Sequence, residues 1–385
     1  MIAELTKRVR EFGPRAANLV EGLDEDRAAR RALDLLAEAD LLGWTVPQRH
    51  GGAAKGDLVT ESEVSVRALC ALRDELAWHS GMLDVMFVMQ GLGSYPLVLG
   101  GSAELCGAIL PDVVRGKQVA AFAVTEAGAG SSLGEANLRA EQSDGRWRLN
   151  GAKTFISNAG LAGFYSVLAR TSGEPGDGGR DSLTMFFVPA TTKGLEVRRF
   201  EVMAPHPIGE VILNDVDIAD TYRLGEVGSG LKIALGTLNR FRTSVAAAAN
   251  GFSRRALDES VKHLEDRNQF GKPLSAFQGL RFDLAEMDAR LRASQLLTEE
   301  AANALDRGEE AVAEVARAKL TATETASWIC DRAVQHHGGL GVKRGVIVER
   351  LFREVRALRI YEGTSEVQKL ILAKDVLERA RKRSD

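Results

Sequence analysis

Ala121-Phe-Ala-Val-Thr-Glu-Ala-Gly-Ala-Gly-Ser-Ser132 is the stretch on which the reading of this chain turns. A short apolar run enters a loop of Gly, Ala and hydroxyl residues. Such a loop can bring backbone N–H groups against a pyrophosphate, because absent side chains permit close approach. A Rossmann fingerprint would need a helix after the glycines and an acidic residue about 20 positions on at the next strand. Here Leu138 to Gly151, LRAEQSDGRWRLNG, continues as strand and turn, so NAD binding in that mode is not expected. Taken alone, such a loop is more often merely a turn.

Working outward, the hydrophobic period changes on either side of this loop. Residues 1 to about 120 read mainly as helices. DRAARRALDLLAEADLLGW places Ala28, Leu35, Ala39 and Leu42 at i, i+3/i+4 spacing before a Gly and a Pro. The pattern repeats over 57–80 and 102–116, with Pro111 expected in a first turn. From about 120, AAFAVTE, RWRLNG, KTFIS, FYSVLAR, LTMFFVP and GEVILNDVDI are short runs rich in Val, Ile and aromatics, separated by turn residues. They predict a small antiparallel β domain, with SGEPGDGGRDS as a mobile solvated loop. Beyond about 230 helical stripes return, such as Leu280, Leu284, Met287 and Leu291, and the Ala-rich EEAVAEVARAKLTATETA suits close packing. The expected fold class is therefore α+β and multi-domain: an N-terminal helical domain over 1–120, a middle β domain over 121–230 and a C-terminal four-helix-type bundle over 231–385.

Composition narrows the function classes. At 385 residues the chain is long enough for two or three domains sharing an extensive core. Lys+Arg 50 against Asp+Glu 53 leaves a net charge of -3, so no global field draws it to nucleic acid or anionic lipid. Cys70, Cys106 and Cys330 are odd in number and widely spaced, which argues against a disulfide framework or a cysteine zinc site and implies a reducing, cytoplasmic setting. The N-terminus lacks the pattern of a secretory signal, and no run is expected to reach the roughly 18 apolar residues of a membrane helix. His336 and His337 are adjacent, so on a helix they point apart, and no third ligand sits at usable spacing. No metal is expected there. The basic end ERARKRSD complements a helix C-terminus.

Four further pieces stand in order after the loop: Lys153-Thr-Phe-Ile-Ser-Asn158, Arg267-Asn-Gln-Phe-Gly271 followed by Phe277-Gln278, Gln335-His-His-Gly-Gly339, and Tyr361-Glu-Gly-Thr-Ser-Glu366. In this order, on a helical/β/helical chain, they resemble the acyl-CoA dehydrogenase family over essentially the whole length. The resemblance implies an FAD enzyme of fatty acid metabolism that removes two hydrogens across the α,β bond of an acyl-CoA thioester. It further implies a homotetramer whose reduced flavin passes electrons to an electron-transfer flavoprotein. Phe122, Val124, Thr125, Gly130 and Ser131 would lie along the FAD, with Ser131 also toward the CoA phosphates. Phe155, Ile156 and Ser157 would pack beside the flavin, Phe155 keeping an aromatic face and Ser157 a hydroxyl for flavin N5, where the family usually has Trp-Ile-Thr. Ser132 stands where the family commonly has Asp. Arg267, Gln269, Phe270, Gln335, Gly338 and Gly339 would reach the FAD of a neighbouring subunit, and Phe277, Gln278, Thr364 and Glu366 complete the cofactor set. Asn239, Arg242 and Gly363 would join Ser131 on the substrate side.

Glu362 is the expected catalytic base. Removing an α-proton from a thioester needs a base within hydrogen-bond reach, and a carboxylate desolvated between acyl chain and flavin gains basicity toward neutral pH. The family's other base position corresponds to Phe241, which cannot accept a proton. Two rivals remain: a flavin monooxygenase or oxidase on the same fold, against which Glu362 counts, and a non-catalytic scaffold, against which the flavin-side residues count.

Overall fold

The break in period near residue 120 separates helices from strands in the computed structural model, which describes residues 1–54, 56–177 and 181–382, the side chain of Asp57 excepted. Parts of the SGEPGDGGRDS loop and of the basic tail therefore lie outside the described residues. Five helices come first: α1 (Ile2–Val20), α2 (Glu25–Glu38), α3 (Val66–His79), α4 (Gly81–Gly100) and α5 (Ala103–Val114). Eight strands follow: β1 (Ala120–Ala123), β2 (Arg139–Ser143), β3 (Arg146–Ser157), β4 (Phe164–Arg170), β5 (Leu183–Pro189), β6 (Leu195–Arg199), β7 (Ile208–Ala219) and β8 (Arg223–Leu224). Then come α6 (Gly230–Asp266), a hairpin of β9 (Asn268–Gln269) and β10 (Lys272–Pro273), and α7 (Gln278–Asp306), α8 (Val312–His337), α9 (Ile347–Leu358) and α10 (Ser365–Arg381). One compact unit comprises Met1–Pro14, Val66–Asp84 and Arg242–Asp385, the other Arg15–Ser65 and Val85–Phe241.

The second unit is built on the sheet, whose strand order is β6-β7-β3-β2-β4-β5-β8 with β1 added to β4. Its core comprises Trp147, Leu149, Val167, Phe186, Val188 and Val211 among others. The expectation of a purely antiparallel sheet needs correction, because β1 pairs with β4 in parallel. RWRLNG and KTFIS are not two strands but one, β3, with register shifts against β7 after Leu149 and after Lys153. Gly151 occupies the first shift at φ 140°, and a Cβ there would lie 2.9 Å from Leu138 Cα, so only glycine fits without displacement.

In the first unit the Ala-rich face of α8 (Ala318, Ala322, Ala326, Ala333) packs with Ala249 and Phe252 of α6, Met287 and Leu291 of α7, and Val348 and Leu351 of α9. Small side chains let these helices approach closely, as the composition of α8 implies. Three local readings change. The helix expected from residue 57 starts at Val66, because Asp306 accepts from Val66 N at 2.7 Å and Arg67 N at 3.1 Å and so caps α3 from a distant part of the chain. Pro111 falls inside α5 rather than in its first turn, since Ser102 caps that helix by accepting from Leu105 N. And α4 is long and apolar enough to cross a membrane by length and composition, contrary to the expectation that no run is; most of it is buried inside the protein.

Burial also sets an acid limit on stability. The His79 ring lies where a side chain on Gly13 would sit, is only 9% exposed, and leaves Nε2 without a partner. Burial lowers its pKa from 6.5 to about 4, more than Glu75 raises it. The unfolded chain therefore takes up this proton below pH 6.5 and the folded chain does not until about pH 4. Stability present above pH 6.5 should be lost on the way down to pH 4, by on the order of 3 kcal/mol for this group. Urea midpoints measured between pH 7 and 4 should show the loss, and His79→Leu should flatten it; an equal slope in the variant would assign the acid sensitivity elsewhere.

Candidate active site

In the sheet unit, the glycine-rich loop is held at its base by one buried ion pair. Lys153 Nζ donates to Glu126 Oε1 at 2.7 Å and to Val124 O at 3.3 Å, and the Glu126 carboxylate also accepts from Asn137 N and Leu138 N. Lys153 is fully buried, and desolvation lowers its pKa to about 8 against the pull of Glu126. Thr154 N donates to Thr125 O at 2.9 Å, joining loop to strand a second time. Phe122 and Val124 are buried, so what this stretch offers outward is backbone. Gly128 and Gly130 have open space where a Cβ would be, and Ser131 is exposed. This is a cradle that a phosphate-bearing group can approach closely.

At the end of β3, the second register shift turns Phe155 outward. It stands at φ 54° and 60% exposed, with its ring edge-on to Phe200 at 5.2 Å, while Ile156 beside it is buried. Ser157 Oγ lies 2.6 Å from His206 Nε2. Asn158, also at positive φ, donates from its side chain to Ala120 O and so ties the end of β3 to β1.

In the helical unit, Arg267 follows α6 and leads into the β9–β10 hairpin, whose two-residue turn is Phe270-Gly271 at φ 51° and 81°. Two successive positive φ values mark a type I′ turn, which normally selects Asn or Gly rather than Phe. The turn leaves Phe270 91% exposed, near Phe277, over which Lys272 Nζ sits at 4.2 Å. Gln278 opens α7. Gln335 is exposed in the last turn of α8, and Gly338 ends that helix at φ 55° with open space around it and Gly339. His337 stacks on His263 at 4.2 Å, which brings the ends of α6 and α8 together, and His336 Nε2 is 3.2 Å from Asp283. The two histidines thus have structural partners.

The Tyr361–Glu366 turn is clamped through its carbonyls. Arg242 Nε donates to Glu362 O at 2.7 Å, Lys319 Nζ to Gly363 O at 2.7 Å, and Gln368 Nε2 to Gly363 O at 3.1 Å. Thr364 caps α10, while Ser365 and Arg359 both donate to Glu324. Held in this way, Glu362 adopts φ 52° and Gly363 φ 96°. Glu362 Oε2 is buried with no hydrogen-bond partner, and among the described residues its backbone N–H has none either. Burial raises the pKa of its carboxyl, and Arg73, Arg242 and Lys319 draw it partly back. Arg73 is itself locked by Asp84 through two bonds of 2.8 and 2.7 Å and by Ser244 at 3.0 Å. Glu366 is exposed in the first turn of α10, and Asn239 is exposed on α6.

Among the described non-glycine residues at positive φ, those that are neither Asp nor Asn are Phe155, Phe270 and Glu362. Each lies in a different one of the motifs singled out from sequence. Such backbone costs of order 1–3 kcal/mol per residue and persists where surrounding contacts over-determine it, typically at functional sites. Lys153, Glu126, His206, Lys319, Gln368, Arg73 and Asp84 were not among the expected site residues. One of them left a trace: Lys319 sits on the buried stripe of α8, flanked by Val315, Ala316, Ala322 and Thr323, where a solvated lysine would not be placed.

Comparison with known proteins adds to this geometry. Family models match along the chain: "Acyl-CoA dehydrogenase, N-terminal domain" over residues 3–117, "middle domain" over 121–216 and "C-terminal domain" over 228–377. The chain is 35% identical to a 3-(aryl)acrylate reductase of Clostridium sporogenes, over 89% of each sequence. It is 33% identical to the caffeyl-CoA reductase-Etf complex subunit CarC of Acetobacterium woodii, over 97% of this chain and 98% of that one. Its structure resembles butyryl-CoA dehydrogenase from Megasphaera elsdenii with a TM-score of 0.88 and 28% identity, covering 98% of both chains.

Proposed function

Because the chain belongs to the acyl-CoA dehydrogenase family of FAD-dependent oxidoreductases, we propose that Glu362 is the base that takes the α-proton from an acyl-CoA thioester during its conversion to the trans-2-enoyl-CoA. The single observation that carries this assignment is the Glu362 carboxylate: buried, unpartnered at Oε2, raised in basicity, and held in a turn at positive φ. The loop backbone with Phe155 and Ser157 would hold FAD, which when bound would supply the hydride acceptor for the β-hydrogen at its N5. The free N–H of Glu362 is a donor for the negative charge that develops on the thioester oxygen, and it is already oriented by the clamp on the turn. Phe155 offers an aromatic face and Ser157 a hydroxyl to the flavin, while the loop backbone from Thr125 to Ser131 follows the rest of the cofactor. Ser131, Asn239, Arg242 and Gly363 serve the substrate side.

Arg267, Gln269, Phe270, Gln335, Gly338 and Gly339 are assigned to the FAD of a neighbouring subunit in a homotetramer, with Phe277, Gln278, Thr364 and Glu366 completing the cofactor set. A phenyl ring exposed at the tip of a hairpin supports an intersubunit role, since water contact leaves its area unburied. An electron-transfer flavoprotein is the proposed acceptor, and the three free, buried cysteines accord with a cytoplasmic setting.

The test is an anaerobic panel of acyl-CoAs of varied length, branching and aromatic character, followed by loss of flavin absorbance. Both relatives named above carry reductase names, so enoyl-CoAs are added to the reduced enzyme in the same series. Bleaching by at least one acyl-CoA is expected; a colourless protein, or a flavin inert to the whole panel, would refute the reading. Arg267→Ala should reduce the FAD retained through gel filtration and the oligomer fraction by light scattering. A stable monomer that keeps its FAD would defeat the shared-site assignment.

A further inference from the structure

We propose that His206 is a positioning residue that sets the direction of the Ser157 hydroxyl proton, so that one hydroxyl serves as donor or acceptor toward the flavin as required. This rests on the reading that Ser157 faces flavin N5. Ser157 Oγ and His206 Nε2 are 2.6 Å apart, so one of the two donates to the other. A neutral imidazole carries a proton on one nitrogen and a lone pair on the other. With the proton on Nε2, His206 donates to Ser157 Oγ, and the hydroxyl proton is free to point away toward an acceptor. With the proton on Nδ1, Nε2 accepts the hydroxyl proton, and Ser157 presents lone pairs to an outside N–H. The change moves no net charge: one proton leaves Nε2 and another arrives at Nδ1 by exchange with water. A flavin nitrogen that is an acceptor when oxidised and an N–H when reduced calls on each state in turn.

The surroundings hold His206 to this role. It lies in Met203-Ala-Pro-His-Pro-Ile208, between two prolines, and its backbone N–H donates to Glu25 Oε2 at 2.9 Å. Asn158 N donates to Pro207 O at 2.7 Å, so the segment is fastened to the end of β3 on the far side of the histidine as well. The charged groups around it are Arg199 on β6 and, paired with that arginine, Glu25 and Asp26 on α2. Burial first and the Arg199 cation second lower the His206 pKa to about 4. At neutral pH the ring is therefore neutral and keeps the lone pair on which both states depend. An imidazolium would donate from both nitrogens and could not accept the Ser157 hydroxyl proton, so the second of the two states would be lost.

The experiment uses the FAD-loaded enzyme and reduces it with dithionite, so that it does not depend on acyl-CoA turnover. The ¹⁵N shifts of the His206 ring are expected to show the proton on Nε2 in the oxidised enzyme and on Nδ1 in the reduced one. In parallel, His206→Phe should change the equilibrium constant for flavin reduction about tenfold, which for a two-electron couple is about 30 mV in midpoint potential. In a Ser157→Ala background the same change should have no effect, because the hydroxyl that transmits it is gone. One tautomer in both redox states overturns the proposal, and so does a His206→Phe shift of equal size with and without Ser157. Should His206→Phe not fold, the ring shifts of the unmutated enzyme decide alone. A protein that binds no FAD refutes the flavoenzyme reading itself, and this inference with it, whereas a protein that holds FAD and shows no tautomer change refutes only the relay.

Discussion

Glu362→Gln is expected to slow reduction of the bound flavin by a good acyl-CoA about 10²- to 10⁴-fold, the usual contribution of a general base, while FAD content stays normal. Gln keeps the length of the side chain and leaves the carbonyl clamps from Arg242, Lys319 and Gln368 in place, because these grip the backbone rather than the carboxylate. The unmutated enzyme should also lose activity as pH falls. Its base works only when ionised, and burial raises the Glu362 pKa, so the loss should set in above the ordinary carboxylate range. Stopped-flow reduction across pH checks both points. A Gln variant that reduces its flavin within about tenfold of the original would place the base elsewhere. Lys319→Met separates position from basicity: it keeps Glu362 but removes one clamp and one nearby cation. It should slow reduction less than Glu362→Gln and move the acid limb upward, since Lys319 is among the groups that lower the Glu362 pKa.

Asp84→Ala is expected to destabilise the helical unit by about 3–5 kcal/mol, the typical consequence of removing one partner of a buried ion pair. Arg73 is 1% exposed, and its guanidinium is satisfied by both Asp84 oxygens and by Ser244. Without the carboxylate, the buried cation loses its paired anion and two of its hydrogen bonds, and keeps the Ser244 hydroxyl and the more distant charge of Glu362. Replacing both members with apolar residues, as in Arg73→Met with Asp84→Leu, should restore most of the loss, because the desolvation penalty goes with the charges. Urea midpoints of the three proteins measure this. A single variant as stable as the parent would mean that water reaches the pair. The same substitutions report on catalysis, since Arg73 lowers and Asp84 raises the Glu362 pKa. The double variant, stable but lacking both charges, should therefore still reduce its flavin, with a shifted acid limb.

Sequence by itself determined the order of helices, strands and helices, because hydrophobic period is a property of neighbouring residues and changes sharply near 120. It also singled out Glu362, Phe155, Phe270 and the glycine-rich loop, through a set of motifs whose order resembles the acyl-CoA dehydrogenase family. Tertiary structure alone decided what holds them. Lys319 meets Gly363 44 residues away, Arg242 meets Glu362 across 120, and Asp306 caps α3 across 240. No periodicity records such pairings, because each joins a side chain to a backbone group far along the chain; of these side chains Lys319 alone leaves a trace, on the buried stripe of α8. The same reason hid His206: its link to Ser157 spans 49 residues and exists only because the segment between two prolines is fastened against the end of β3. The positive φ of Phe155, Phe270 and Glu362 was invisible for a different reason. Local preference opposes it at all three, so only contacts made after folding can impose it.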